Sequence, residues 1–508
     1  MTTAQICIMI VIAAYLVVMV IIGAIFSKRT SNVGDFYLGG RKLGPIVTAM
    51  SAEASDMSSY LLMGLPGLAY LSGVADVGWT VIGLAVGTYL NWLIVAKKLR
   101  NYSDHIGAIT IPDYFSRRYK DNSRVLMAIA AVVIIVFFVP YTASGFAACG
   151  KLFGTLFGVD YHLAMIISAI IIVGYTSLGG FNAASTTDLI QSIIMTIALI
   201  IVLIFGINQA GGWDAVMLNA KSLSGYLDMF NTHNPETGAS SPYGPITIVS
   251  TLAWGLGYFG MPHILLRFMA IKDASKVKLS RRVASIWVVI SMSIAVLIGI
   301  IGLGMVNNNA LAPLEDSETI VIQISTLLSQ NGIFFALIAG VILAGILACT
   351  MSTSDSQLLA ASSSMSENIL GGLFKLNLSE KAKMVVARVV LIVIAVIGVV
   401  IAWDPNSSVF GIVSFAWAGF GAAFGPVMLL SLFWKRSNRY GAIAGMIAGG
   451  VMVFVWKYVI AGLADILNVY ELLPAFIIGL VVNVVVSLVT PAPEGEIVDT
   501  FDKVKAMK

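Results

Sequence analysis

The chain has 508 residues, 58% of them apolar and 11% charged; that leaves too little polar surface for a water-soluble protein and places the chain in a bilayer. The net charge of +4 says little without its distribution, and no nucleic-acid partner is expected. Three cysteines, Cys7, Cys149 and Cys349, fall in or beside apolar runs, which suits single buried thiols and not a disulfide framework.

A helix crossing ~30 Å of hydrocarbon needs about 20 apolar residues. Thirteen runs qualify: 6–26, 46–70, 77–95, 125–148, 163–178, 189–207, 246–269, 283–305, 333–358, 384–401, 409–433, 442–460 and 473–489, numbered here as spans one to thirteen. They lack the alternation of barrel strands, and backbone groups in lipid must be satisfied internally, so the predicted class is an all-α membrane protein. Span one has neither a preceding basic cluster nor a small-residue cleavage site and reads as a retained helix. Basic residues such as Lys28, Arg29, Arg41 and Lys42, and later the group up to Lys508, follow alternate spans. All but Lys151, Lys221 and Lys457 of the 30 lysines and arginines share one side. The positive-inside rule makes that side cytoplasmic, with the amino terminus outside and the carboxyl terminus in the cytoplasm of a cell whose plasma membrane the chain crosses.

Two spans combine helix breakers with polar residues. Span two reads Ser51-Ala52-Glu53-Ala54-Ser55-Asp56-Met57-Ser58-Ser59 and then Gly64-Leu65-Pro66-Gly67. Span seven reads Trp254-Gly255-Leu256-Gly257-Tyr258-Phe259-Gly260-Met261-Pro262. Broken helices in matching positions of two repeats are where transporters bind solute and ion. Their five-span separation predicts one membrane domain: a first helix and loop at 1–43, a first repeat at 44–207, an outside loop with short surface helices at 208–245, and a second repeat at 246–433. Two further spans at 434–490 and a polar tail at 491–508 complete it.

An aspartate at the centre of a membrane needs a cation, a water-filled cavity or a proton. Asp56 therefore marks an ion or solute site, or else is a protonated carboxyl capping the helix break. Glu53 shares its face or points into helix packing. In span nine, Ser352 and Thr353 offer the hard oxygens that a small cation prefers, while Ser352, Asp355 and Ser356 lie on one helical face; packing hydroxyls are the alternative. Trp254 and Tyr258, which share a helical face at i and i+4 beside glycines, and Tyr141 after Pro140 line a ligand or simply pack. His263 and Arg267 read as the cytoplasmic end of span seven.

At these residues the chain resembles the sodium/solute symporter family, over nearly its whole length. The resemblance is carried by Tyr37-Leu38-Gly39-Gly40-Arg41-Lys42-Leu43-Gly44-Pro45, Ser55-Asp56-Met57-Ser58, Ile111-Pro112-Asp113-Tyr114-Phe115, residues 254–270, and residues 343–347 running into Met351-Ser352-Thr353. It implies a leucine-transporter-like fold, a 5+5 inverted repeat with one helix before and two after, that couples Na+ to the import of L-proline and performs no enzymatic reaction. It also implies a sodium site made by the backbone carbonyls of Ala54, Met57 and Cys349 and the hydroxyls of Ser352 and Thr353, supported by the charge of Asp56. Proline would meet Ser58, Tyr141, Trp254 and Tyr258, with Pro262 shaping the break.

Two positions depart from the family's proline carriers, which have a small residue in place of Glu53 and uncharged ones in place of Ser354-Asp355. Some members bind a second sodium, and the matching residues are Asp188, Ser352, Asp355 and Ser356. The two carboxylates either strengthen such a site or share a proton. The competing expectations are a different solute, such as another amino acid, pantothenate or a sugar, and a transporter-like sensor module. The second lacks any signalling region, and an intramembrane enzyme lacks a paired nucleophile and base.

Overall fold

The computed structural model describes residues 1–27, 33–375 and 378–507; Lys28, Arg29 and Lys508, counted in the charge pattern, lie outside the described residues. Ten helices among them are long and apolar enough to cross a membrane, and each coincides with a predicted run. Span one is Thr3–Ser27, span eight Val277–Asn307, span nine Ile333–Ser363 and span eleven Val409–Phe433. Their outer faces carry residues such as Ile204, Ile286 and Val400, each more than half exposed. Their inner faces bury serines, threonines and carboxylates. That inversion of a soluble protein's pattern follows from lipid being the solvent.

The other three predicted spans, two, five and seven, hold only shorter apolar helices, 60–72, 161–174 and 245–259. Span two is the helix Pro45–Met57, a break at Ser58 with φ of 47°, a π-helical turn Tyr60–Gly64 and the helix Leu65–Ser72. Span seven is the helix Pro245–Leu252, the 3-10 segment Ala253–Phe259 and, after an extended Met261, the helix Pro262–Ala270. Pro262 opens that last helix, where a missing N–H costs nothing. Spans five and six form one run, Tyr161–Gln209, bent at Gly180 with φ 63° and ψ −168°, a conformation reserved for glycine.

One end of both broken spans is tied together. Leu43, just before span two, pairs with Ile271, just after span seven, and the Arg41 guanidinium donates to the Met269 carbonyl at 2.7 Å. Span three, whose long helix begins at Val74, presses Gly83 and Gly87 against Leu252 and Gly255, where any Cβ would strike backbone. The segment 208–245 adds the predicted short helix, Trp213–Ser222, and a small hairpin, Asn231–His233 with Ser240–Pro242. Tyr226 from this segment donates to the Ala69 carbonyl at 2.8 Å and caps the far end of span two. Two of the three lysines that break the charge rule are paired: Lys151 with Asp316 and Glu318 at 2.8 and 2.7 Å, and Lys457 with Glu471 at 3.4 Å.

Candidate ion and solute site

Asp56 sits two residues before the break in span two, in the last turn of its helix. The Tyr258 hydroxyl donates to Asp56 Oδ2 at 2.6 Å, and the Tyr141 hydroxyl donates to the Asp56 main-chain carbonyl at 3.1 Å. Spans four and seven thus hold the broken turn of span two from both sides. Asp56 Oδ1 is buried and has no partner among the described residues. A buried carboxylate oxygen left in that state is costly and is an acceptor available to a cation or a donor.

One turn back, span two meets span nine. Ser352 Oγ lies 2.8 Å from the Ala54 carbonyl and 3.1 Å from the Cys349 carbonyl. Its single proton serves one of them at a time. Thr353 Oγ1 is buried without a partner among the described residues. Met57 ends the helix Pro45–Met57, whose terminal carbonyls lack intrahelical donors. The structure therefore converges oxygens of Ala54, Cys349 and Ser352, with Thr353 on the next position of the same helix. A neutral, all-oxygen set of this kind fits a small hard cation and suits no soft metal.

Trp254 and Tyr258 do not share a face. The 3-10 segment turns about 120° per residue, so positions four apart diverge. Trp254 joins an aromatic wall, stacked on Tyr60 at 5.9 Å and Tyr470 at 5.0 Å between centroids, with Phe410 at 5.5 Å. Tyr258 turns to Asp56, its ring edge-on to Trp417 at 5.0 Å. Trp417 Nε1 donates to the Trp254 carbonyl at 2.8 Å, supplying a partner to an unwound backbone. Ser58 Oγ accepts from the Tyr60 N–H at 3.2 Å, so its side chain helps fix the break. Glu53 accepts from the Trp92 indole N–H at 2.9 Å, and Asn91 Nδ2 donates to the Tyr258 carbonyl at 2.9 Å. Both donors come from a π-helical turn, Asn91–Ala96, in span three.

Arg267 is where the sequence reading fell short. It lies in the last turn of the helix Pro262–Ala270, as expected, but it is 1% exposed and faces the carboxylates. Its Nη2 donates to Asp188 Oδ2 at 3.1 Å and to Ser356 Oγ at 2.6 Å, its Nε to Ser51 Oγ at 3.0 Å, and its Nη1 to the His263 carbonyl at 3.0 Å. Ser51 Oγ donates to the same Asp188 oxygen at 2.6 Å. Ser356 Oγ reaches the Ser352 carbonyl at 2.8 Å and Asp355 Oδ1 at 3.2 Å. The structure thus gathers Asp188, Ser352, Asp355 and Ser356, the set that the resemblance implied, around a fixed positive charge that neither spacing nor resemblance included. A rule that every buried ion needs a counter-ion would have pointed to it: Asp188 directly precedes span six, span nine holds Asp355, and span seven holds the arginine. The aromatic partners Tyr60, Phe410 and Trp417, ordinary residues of apolar spans, and Tyr470, in the loop before span thirteen, carried no such signal.

Known proteins share this arrangement of elements. Over 96% of this chain and 99% of its own length, the substrate-bound, outward-open structure of a Na+-coupled sialic acid symporter matches with a TM-score of 0.79 at 21% identity, which shows the fold. The closed structure of Mhp1, a nucleobase-cation-symport-1 family transporter, matches 93% of this chain and 99% of its own with a TM-score of 0.57. In sequence, the high-affinity proline transporter PutP of Bacillus subtilis is 43% identical over 95% of this chain and 98% of its own length. The sodium/proline symporter of Haemophilus influenzae is 42% identical over 96% of both chains, and that of Staphylococcus aureus 40% identical over 98% and 95%. Residues 36–449 match the family described as the sodium:solute symporter family. The broken spans, the oxygen cluster between spans two and nine, and identity at this level over nearly the full length have one source: the chain belongs to the sodium:solute symporter family.

Proposed function

We propose that the protein imports L-proline with sodium by alternating access across a cell membrane, and is a carrier and not an enzyme. The observation that carries the substrate is the identity of about two residues in five with proline transporters over nearly the whole chain. In this reading all thirteen predicted runs cross the membrane, spans two to eleven form the 5+5 inverted repeat, and the amino terminus lies outside. The charge pattern and the two broken spans support it.

Sodium sits between spans two and nine, on the carbonyls of Ala54, Met57 and Cys349 and the hydroxyls of Ser352 and Thr353. Its arrival replaces the hydrogen bond that Ser352 now makes to Ala54 and fixes the angle between the two spans. Asp56, one oxygen held by Tyr258, adds negative charge without needing to touch the ion. Proline lies at the two breaks, against the aromatic wall of Trp254 and beside Ser58, Tyr141 and Tyr258, with Pro262 holding the lower half of span seven in line. Because Tyr141 and Tyr258 both bond to Asp56, solute contact and ion site are one hydrogen bond apart, which is a physical route for coupling.

One sodium falling through 100 mV releases ~2.3 kcal/mol, and a tenfold gradient adds roughly 1.4 kcal/mol. Together they sustain about 500-fold accumulation of a zwitterion. The test is uptake of labelled L-proline by proteoliposomes under an inward sodium gradient, challenged with unlabelled amino acids, pantothenate and sugars. Competition by proline alone is expected; uptake of a different competitor in its place would keep the symporter and replace the solute.

A further inference from the structure

Away from the ion and solute site, the C-terminal helix Glu496–Ala506 packs on the continuation of span three, Lys97–His105, at the end of the molecule where the basic residues gather. Between these two helices and the end of span eleven lies a cavity of about 310 Å³. Its lining is of two kinds. Leu93 and Phe433, each 43% exposed, open one side onto the apolar outer surface, while Lys97, Lys98 and Lys505 bring three positive charges, and no carboxylate lines it. We propose that this cavity binds the headgroup of an anionic phospholipid from the surrounding bilayer, its phosphate among the three lysines and the Tyr102 hydroxyl.

The charges there lack counter-ions. Lys97, Lys98 and Lys505 form no ion pair among the described residues, and Lys98 Nζ lies instead 3.8 Å from the centroid of the Phe433 ring. Two acids of the C-terminal helix are already taken, Glu496 by Lys120 and Asp502 by Lys435. Like charges gathered around one cavity repel, and an anion among them reverses the sign of that energy.

Two buried groups point to a ligand independently of the lysines. Tyr102 lines the cavity at 2% exposure, and its hydroxyl has no partner among the described residues. A buried hydroxyl in that state is costly, and a phosphate oxygen would accept its proton. Beside it, Arg118 is 1% exposed, its guanidinium carbon 5.3 Å from the Tyr102 ring and 5.1 Å from the Phe501 ring. Arg118 Nε donates to the Ser431 carbonyl at 2.9 Å, whereas Nη1 and Nη2 have no partner among the described residues. This permanent charge, held without a carboxylate behind two residues of the cavity wall, deepens its positive potential. A free phosphate would use the cationic half alone. A lipid uses both halves, because the exposed Val86, Leu90 and Leu93 give its acyl chains an apolar track along span three.

The experiment is native mass spectrometry of the purified, delipidated full-length protein with equal amounts of phosphatidylglycerol and phosphatidylcholine carrying the same acyl chains. A first adduct of phosphatidylglycerol is expected, preferred roughly tenfold or more. Each of Lys97→Gln, Lys98→Gln and Lys505→Gln should weaken it about fivefold, and the three together roughly hundredfold. The corresponding triple arginine variant keeps the charge and should keep the lipid. Tyr102→Phe should weaken the adduct about tenfold or more while leaving the lipid-free melting temperature unchanged, since the hydroxyl bonds to nothing in the protein. The double variant Lys276→Gln with Lys278→Gln, exposed lysines outside the cavity, should bind as the wild type does. Equal adducts of both lipids, or as large a loss in that control as in the triple glutamine variant, would overturn the inference. So would displacement of the lipid by an equal concentration of glycerol 3-phosphate, which would make this a site for a soluble anion.

Discussion

Asp56 holds one carboxylate oxygen on Tyr258, and the other has no partner among the described residues, so the two tyrosines beside it are not equivalent. Tyr258→Phe strips the side chain of its donor. Leaving a buried acceptor unsatisfied costs about 1–3 kcal/mol, so the half-saturating sodium concentration should change about fivefold or more, read from sodium-dependent uptake. Tyr141→Phe removes a bond to the main chain and should weaken proline more than sodium. Equal effects of both substitutions on both ligands would argue against the division of roles. Asp56 and Ser352 were legible from sequence because polar residues inside apolar runs are few and expensive. Arg267 was readable as charge but not as partner: a one-dimensional pattern places it near the end of a span, and only packing brings spans two, six and nine around it.

At the scale of elements, the ten long helices among the described residues were legible because about twenty apolar residues in a row have few alternatives in lipid, even where Pro140 or Pro426 lies inside the helix. The broken ones were legible as broken, but not in their geometry. The 3-10 turn of Ala253–Phe259 depends on span three and span eleven meeting its backbone, through Gly87 and Trp417. It moves Trp254 and Tyr258 onto different sides, which an α-helical reading joined. Gly180 gives a test of element architecture away from the ions. Gly180→Ala places a Cβ 2.7 Å from the Phe36 ring in a backbone region closed to it, at a cost of about 1–3 kcal/mol for the backbone alone. A lower melting temperature is expected, with sodium binding by the folded fraction unchanged; an unchanged melting temperature would mean that the bend does not need glycine.

Lys151 and Glu318 hold elements together at the end of the molecule where the charge rule expects few lysines. Glu318 also accepts the N–H groups of Val409 and Phe410 at 3.1 and 3.0 Å, at the N-terminus of span eleven, where the helix dipole favours an anion. A double-mutant cycle between Lys151→Met and Glu318→Gln, read by thermal unfolding, should give a coupling above the ~1 kcal/mol of an exposed pair. A coupling near zero would mark the pair as incidental.

At the scale of the whole molecule, the proposed reading has a cation site between spans two and nine convert a sodium gradient into a solute gradient. The most direct test is accumulation of labelled L-proline in proteoliposomes holding the purified protein, with inward sodium compared with inward choline at the same potential. The account predicts accumulation well above equilibrium with sodium and none with choline, abolished in Asp56→Asn and requiring more sodium in Ser352→Ala. Uptake that proceeds equally in choline, or survives Asp56→Asn undiminished, would contradict it.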